Sequence, residues 1–305
     1  MKVVKVLIAG AGGMLGRALV RSAPKHVAVL ACTRQQLDVT NAKAIEQTVQ
    51  AYQPDVIVNA AAYTQVDRAE AEPEKAYAVN RDGALYLAQA AVRLDVPLLH
   101  FSTDYVFDGV FPDGVCRPYT EEDVPNPLNV YGASKLAGEK VVLTTHEQAL
   151  IIRTSTLFGS RGDGVDGVGG MDFVGWVLAK AHEEKVLKVV DSWVSCPTPV
   201  ESLARVVWQL VDRISEKGGN QPRVTYGVYH YAGMPAVNRY VWACEIIKAA
   251  QQQGLVADDV EVLPCLAEEL RLAAKRPVYS ALNCERIQSD LGIKLTDWKR
   301  KMNHV

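Results

Sequence analysis

Short apolar runs alternate with longer amphipathic stretches through the first half of the chain. Val3–Ala9 is continuous and apolar, as a parallel strand buried on both faces should be. A glycine turn and a helical pattern through Leu19 and Val20 follow it. Val27–Ala31, Asp55–Asn59, Pro97–Phe101 and Leu150–Thr154 repeat the short strand-like run. Between them, Ala69–Leu94, interrupted near Pro73, and Tyr131–Leu143 read as helices. Strands alternating with helices predict an α/β fold with a doubly wound parallel sheet of Rossmann type.

The pattern changes after residue 158. Gly159–Gly170 holds six glycines in twelve residues, which no element interior tolerates, so a flexible loop is expected there. We expect it to order over a bound substrate. Phe173–His182 then reads as a helix, His182–Lys188 as a charge-rich solvated face and Asp191–Pro199 as a loop. Ser202–Val211 and Tyr240–Gln251 read as helices, Tyr226–Tyr231 and Val260–Pro264 as strands. The division this suggests is a dinucleotide-binding domain over 1–158 and a smaller C-terminal α/β substrate-binding region over 159–305. Part of the latter, about 189–232, is expected to return to the main sheet.

Composition narrows the class. Among 305 residues, 49% are hydrophobic and the net charge is −2. Those values fit a soluble globular protein and give no electrostatic case for nucleic acid or an acidic membrane. The first apolar run is too short for a membrane span, and it leads into a glycine turn, not a cleavage site. The six cysteines are scattered without CxxC spacing, which fits free thiols in a reducing cytoplasm better than disulfides or zinc. The six histidines show no metal-ligand spacing, and His230 on a strand reads as a core residue. Arg161-Gly162-Asp163 resembles an adhesion tripeptide, but without a secretory signal it is read as part of the loop.

Three stretches carry candidate chemistry. Gly10, Gly13 and Gly16 form GxxGxxG between a strand and a helix. That context suits a dinucleotide: a tight turn, close backbone approach to a pyrophosphate, and helix N–H groups aimed at it. Beyond the second strand stands Arg34, where a carboxylate would hold the ribose hydroxyls of NAD. A cation there could take a 2′-phosphate, or it could be a solvated surface arginine. Asp38 and Val39 lie further on, within reach of an adenine, and Ala60–Thr64 follows the third strand with small residues. Tyr131 and Lys135, four apart, share one helix face. A nearby cation lowers a tyrosine pKa, and such a tyrosine passes protons to or from a carbonyl oxygen. Taken alone the pair is commonly a helix-surface contact. Thr103, at the end of Pro97–Phe101 and just beyond, could meet Tyr131 at the same substrate oxygen. Residues 108–129, rich in Pro, Gly and Asp, are expected to form an ordered loop over this site.

These residues resemble a family, the extended short-chain dehydrogenase/reductases, and within it the dTDP-4-dehydrorhamnose reductases. The resemblance runs over nearly the whole chain. Its specific stretches are Ser102–Phe107 and Pro127-Leu128-Asn129-Val130-Tyr131-Gly132 through Lys135-Leu136-Ala137-Gly138-Glu139-Lys140. It extends through Asn59–Asp67, Arg153-Thr154-Ser155, Asp191 to Pro197-Thr198, and Arg276-Pro277 with Ser280 and Leu282. The resemblance implies Thr103, Tyr131 and Lys135 as a catalytic trio. Tyr131 would protonate a sugar C4 carbonyl oxygen, and Lys135 would hold the nicotinamide ribose. It implies a cofactor groove of Gly10, Gly13, Met14, Leu15, Gly16, Asp38, Val39, Ala62, Tyr63, Thr64 and Phe101, with NADPH favoured through Arg34 and NADH as the alternative. Thr103, Asp104, Thr156 and Arg276 would face a dTDP-sugar.

Two departures stand out. Many members carry Trp where this chain has Thr156, which removes a flat apolar surface from the substrate side. Some carry a Glu for a magnesium-bridged dimer where this chain has Ala18, so no metal is expected there; a homodimer is left open. Two rival functions share the motifs. One is a related sugar-nucleotide epimerase or ketoreductase. The other is an NADP-binding regulatory subunit resembling the methionine adenosyltransferase β subunit, which also carries DYVFDG and YGxxK.

Overall fold

The structure, a computed structural model, describes residues 3–111, 114–159, 171–215 and 224–304. The glycine loop beyond Gly159, with the tripeptide inside it, lies outside the described residues. The first half runs β1 (Val4–Ala9), α1 (Met14–Arg21), β2 (Val27–Cys32), α2 (Ala42–Tyr52), β3 (Val56–Asn59), α3 (Val66–Ala71) and α4 (Pro73–Tyr77). A π-helical turn (Ala78–Asp82) leads into α5 (Gly83–Leu94), then β4 (Leu98–Thr103), α6 (Val130–Thr145) and β5 (Ala149–Thr154). The second half runs β6 (Leu157–Phe158), α7 (Phe173–Glu183), β7 (Val186–Val190), β8 (Val194–Ser195), β9 (Thr198–Pro199) and α8 (Val200–Ser215). It ends with β10 (Gly227–His230), β11 (Val237–Asn238), α9 (Arg239–Gln252), β12 (Glu261–Cys265) and α10 (Glu285–Leu291).

Six strands form one parallel sheet in the order β10-β5-β4-β3-β1-β2. Every residue of β3, β4 and β5 is buried, which explains why these strands start as apolar runs without alternation and carry buried polar groups, such as Asn59, Thr103 and Arg153, toward their carboxyl ends. Alternate side chains still serve opposite faces. Val6, Ile8, Leu99 and Ile152 pack with Leu19 of α1 and with Leu203, Val207 and Leu210 of α8. Leu7, Ile57, Leu98 and Ile151 pack with Ile45, Val49, Leu87 and Val142 of the helices on the other side. A separate core gathers Phe158, Val174, Val177, Trp242, Ile246 and Trp298. The chain goes from β1 outward to β2 and then back to β3 on the opposite flank. The carboxyl ends of β1 and β3 therefore bound a switch point, where such sheets open a crevice for ligands.

Several details differ from the sequence expectation. His182–Lys188 is not simply a solvated face: β7 begins at Val186 and pairs in parallel with β12. Leu187 and Val189 turn inward while Lys188 faces out, a period-two pattern hidden by the flanking charges. Asp191–Pro199 contains two short strands, β8 and β9, each paired. The helix break expected near Pro73 is found there, at Glu72, with Pro73 opening the next helix, the position where a missing N–H costs nothing.

Candidate active site

The glycine turn acts through its backbone. Gly10 has φ +83°, and a Cβ there would lie 2.4 Å from the Ala61 backbone nitrogen. A Cβ at Gly16 would stand 2.2 Å from the Gly10 carbonyl oxygen. Strand, helix and the segment after β3 thus close on one another with no room for side chains. Gly13 is the N-cap of α1, followed by Met14 and Leu15. No side chain caps that helix and its first turn carries no acid, so its free N–H groups and positive dipole end remain available to an anion. Arg17 donates to the Gly12 carbonyl at 2.6 Å and braces the turn. This cradle fits the diphosphate of a dinucleotide.

Past β2, the Arg34 side chain is 82% exposed, with Asp38 3.9 Å away. Asp38 accepts from the Thr40 N–H at 2.9 Å and hydroxyl at 2.8 Å, bonds that hold its carboxyl below the usual range. Val39 is buried against Gly83. Ala62 and Thr64 are exposed and Tyr63 half-buried. Asn80, in the π-helical turn, fixes this segment. It accepts from the Tyr63 N–H at 2.8 Å and donates to the Tyr63 carbonyl at 3.1 Å and to Ser134 Oγ at 2.9 Å. The post-β3 segment is thereby tied to α6.

α6 starts at Asn129, whose side chain accepts from the Gly132 N–H at 2.8 Å. A Cβ at Gly132 would lie 2.2 Å from the Tyr105 carbonyl oxygen, so only glycine lets the helix press against the turn after β4. That contact brings Tyr131 to Thr103, the neighbour that most favours its ionised form. Burial outweighs it and pushes the Tyr131 phenol well above its ordinary range, with Asp104 and Tyr105 adding to the shift. Lys135 is 3% exposed, and its Nζ donates to the Phe101 carbonyl at 2.5 Å. Burial lowers the Lys135 ammonium to about 8, opposed by Glu139 one turn on. The expected lowering of Tyr131 by Lys135 is therefore corrected. Within the protein's own groups, desolvation of the phenol dominates and the ammonium is spent on a carbonyl. The outcome is a Tyr131 that holds its proton at neutral pH, the form a proton donor needs.

The ring around Asp104 is tighter than the sequence suggested. Asp104 is 3% exposed and accepts from Ser280 at 2.6 Å, Ser155 at 2.8 Å and Thr103 at 3.2 Å. Burial raises its carboxyl despite these donors. Arg276 is engaged by Asp67 of α3 through both nitrogens and lies over Trp193, with its carbon 5.4 Å from the ring centre. Thr156 accepts from Arg239 at 2.9 Å. Behind the trio, Glu139 and Arg153 form a buried bidentate pair at 2.9 and 2.7 Å. Arg153 also adjoins His230, which burial and that cation hold neutral, its pKa lowered to about 3. His230 Nδ1 meets the Tyr119 carbonyl at 3.1 Å, so it is a satisfied core residue.

Thr103, Asp104, Tyr131, Lys135 and Phe101 are thus brought together at the carboxyl edge of the sheet, while Arg34 and Asp38 stand apart past β2. Sequence reasoning missed Tyr105, Ser155 and Arg239 as members of this wall. Tyr105 and Ser155 sit inside the motif stretches and were legible in principle. Arg239 carries no local signal: it stands just before Tyr240–Gln251, the stretch read as a helix, and the structure makes it the first residue of α9. Among the described residues no cluster of three His, Cys, Asp or Glu could hold a metal, and no helix is long and apolar enough to cross a membrane.

A parallel sheet with a glycine cradle at its switch point and a Thr–Tyr–Lys set at its edge defines a dinucleotide-dependent oxidoreductase of the extended short-chain type. The family described as "RmlD substrate binding domain" matches residues 4–305, and the chain belongs to that family. A dTDP-4-dehydrorhamnose reductase of Aggregatibacter actinomycetemcomitans is 38% identical over 99% of this chain and 98% of its own length. A crystal structure of the dTDP-4-dehydrorhamnose reductase of Bacillus anthracis in complex with NADP superposes with a TM-score of 0.86. It is 32% identical and covers 99% of this chain and 98% of that one. A UDP-glucose 4-epimerase of Thermus thermophilus in complex with NAD reaches a TM-score of 0.74 at 18% identity, covering 99% and 97% of the two chains, and so shares the fold.

Proposed function

We propose that this chain reduces the C4 keto group of a dTDP-4-keto-6-deoxy-L-sugar, dTDP-4-dehydrorhamnose to dTDP-L-rhamnose, with NADPH. The observation that carries it is the meeting of Thr103, Tyr131 and Lys135 beside an open dinucleotide cradle, in a chain matched end to end by reductases of that name. The reading takes 1–158 as mainly the cofactor side and the later chain as mainly the substrate side. The third core around Trp242 and the return of β10 to the main sheet support that division. It places the enzyme in the cytoplasm, in keeping with six unpaired cysteines.

When bound, NADPH supplies the hydride. Tyr131 gives its proton to the C4 oxygen as that oxygen gains charge, and Thr103 donates to the same atom. For this, Thr103 exchanges its long 3.2 Å bond to Asp104 for one to substrate. With the cofactor bound, Lys135 would hold the nicotinamide ribose, and its ammonium would stabilise the phenolate that remains. Gly10–Gly16 would hold the diphosphate, and Arg34, exposed on the surface with Asp38 3.9 Å away, would meet a 2′-phosphate. The test is turnover of NADPH with a panel of dTDP- and UDP-4-keto sugars. The proposal predicts turnover on a dTDP-4-keto-6-deoxy sugar. Wild-type protein that binds NADPH, turns over none of the panel and forms a stable complex with a partner enzyme would establish the regulatory reading instead.

A further inference from the structure

Arg239 opens α9 directly beside Thr156, on the wall that also carries Asp104 and Tyr105. Its backbone N–H is tied to the Trp193 carbonyl at 3.1 Å, so the residue's position is fixed. Its guanidinium is held by hydroxyls and two ring faces: Thr156 accepts from it, Tyr105 favours its charged form, and Asp104 acts on it only through space. Nη2 donates to Thr156 at 2.9 Å, and the guanidinium carbon lies 4.7 Å from the Phe173 ring centre and 5.3 Å from that of Trp242. Nη1 is buried with no hydrogen-bond partner. The second cation of this wall, Arg276, has its own anion in Asp67. The nearby Asp104 spends its oxygens on Ser155, Ser280 and Thr103.

A guanidinium with a buried, idle N–H, whose one nearby carboxyl is already taken by three hydroxyls, is costly, and such groups persist where a ligand completes them. Tyr105, which feels both Arg239 and Arg276, stacks edge-on against Tyr131 with centroids 6.0 Å apart. The guanidinium with its idle N–H therefore sits one aromatic ring from the proton donor. That is close enough to reach a substrate reacting at Tyr131 and too far to join the reacting carbonyl itself.

We propose that Arg239 is a specificity-determining residue that takes an anionic oxygen of the diphosphate linking sugar and nucleoside. Thr156, small and hydroxylated, is what lets it stand there: a large flat side chain at 156 would fill the place of the Nη2 contact. This inference rests on the nucleotide-sugar reading of the site.

The experiment is calorimetric titration of dTDP and of thymidine into wild type, Arg239→Lys, Arg239→Gln and Arg239→Met, with NADPH titration and thermal melts alongside. Loss of a charge-assisted bond to phosphate should weaken dTDP binding about tenfold or more in Met and Gln, and less in Lys. Thymidine and NADPH affinities should stay unchanged. Equal dTDP affinity in wild type and the folded Gln or Met variant would overturn the inference alone, as would an equal penalty on thymidine. A wild type that binds neither dTDP nor UDP would overturn the nucleotide-sugar reading first. If Met fails to fold, the Lys and Gln pair still decides, because an anion site ranks Lys above Gln and a purely structural bond to Thr156 does not.

Discussion

Gly10, Gly13 and Gly16 lie within one turn after β1 and act through backbone, whereas Tyr105, Thr156, Arg239 and Arg276 come from four separate segments and act through side-chain ends. On the proposed cofactor side, steric exclusion does the selecting, since a Cβ at Gly10 or Gly16 would strike main chain. On the proposed substrate side, charge and hydrogen bonding would select, and each group depends on a partner distant in sequence: Arg276 on Asp67, Asp104 on Ser280, Arg239 on Thr156. A local backbone device leaves a sequence signature. A device assembled across the fold does not. It can change one ligand at a time without disturbing the sheet.

The contrast can be broken most severely at Lys135, which serves both sides. Lys135→Met should cut turnover by about 10²-fold or more, the scale of a positioned acid–base partner. It should also weaken NADPH, because the same ammonium is assigned to the ribose. Steady-state kinetics with fluorescence titration of the cofactor checks both. Loss of turnover with unchanged NADPH affinity would confine Lys135 to the substrate oxygen.

Gly10→Ala tests the cofactor side by itself. The left-handed φ and the 2.4 Å approach to Ala61 leave no unstrained place for a methyl group. Strain of about 1–3 kcal/mol is expected, read as a lower Tm. NADPH affinity should fall with it, and that of dTDP should not. Arg34→Ala is the smallest change. A surface contact to a 2′-phosphate is worth about 1.5 kcal/mol or more, so NADPH should bind about tenfold more weakly and NADH as before. Equal wild-type affinities for the two cofactors would remove Arg34 from the cofactor site.

The fold was legible because stretches buried on both faces, such as Val56–Val58, have to be apolar, and the glycine turn has to be glycine. Strand β7 was not, because lysines and glutamates flank a two-sided pattern only five residues long. Of the site, Tyr131, Lys135, Thr103 and Asp104 were legible from motif stretches, and the structure places them together. Their electrostatics were not. The burial that raises Tyr131, with Asp104 and Tyr105 adding to it, and the Lys135 bond to Phe101 both depend on how deep the helix sits. Arg239 was invisible for the same reason: its meaning lies in Thr156, 83 residues away.

The central claim is that Tyr131 acts as the proton donor to a carbonyl oxygen and does not merely line the cleft. Tyr131→Phe keeps the ring and its edge contact with Tyr105 while deleting the hydroxyl. Single-turnover reduction of dTDP-4-dehydrorhamnose, measured with NADPH affinity on the same protein, reads the claim directly. The account predicts a drop of about 10²–10⁴ in the chemical step with NADPH affinity near wild type. Reduction at the wild-type rate by the folded Tyr131→Phe protein would contradict it.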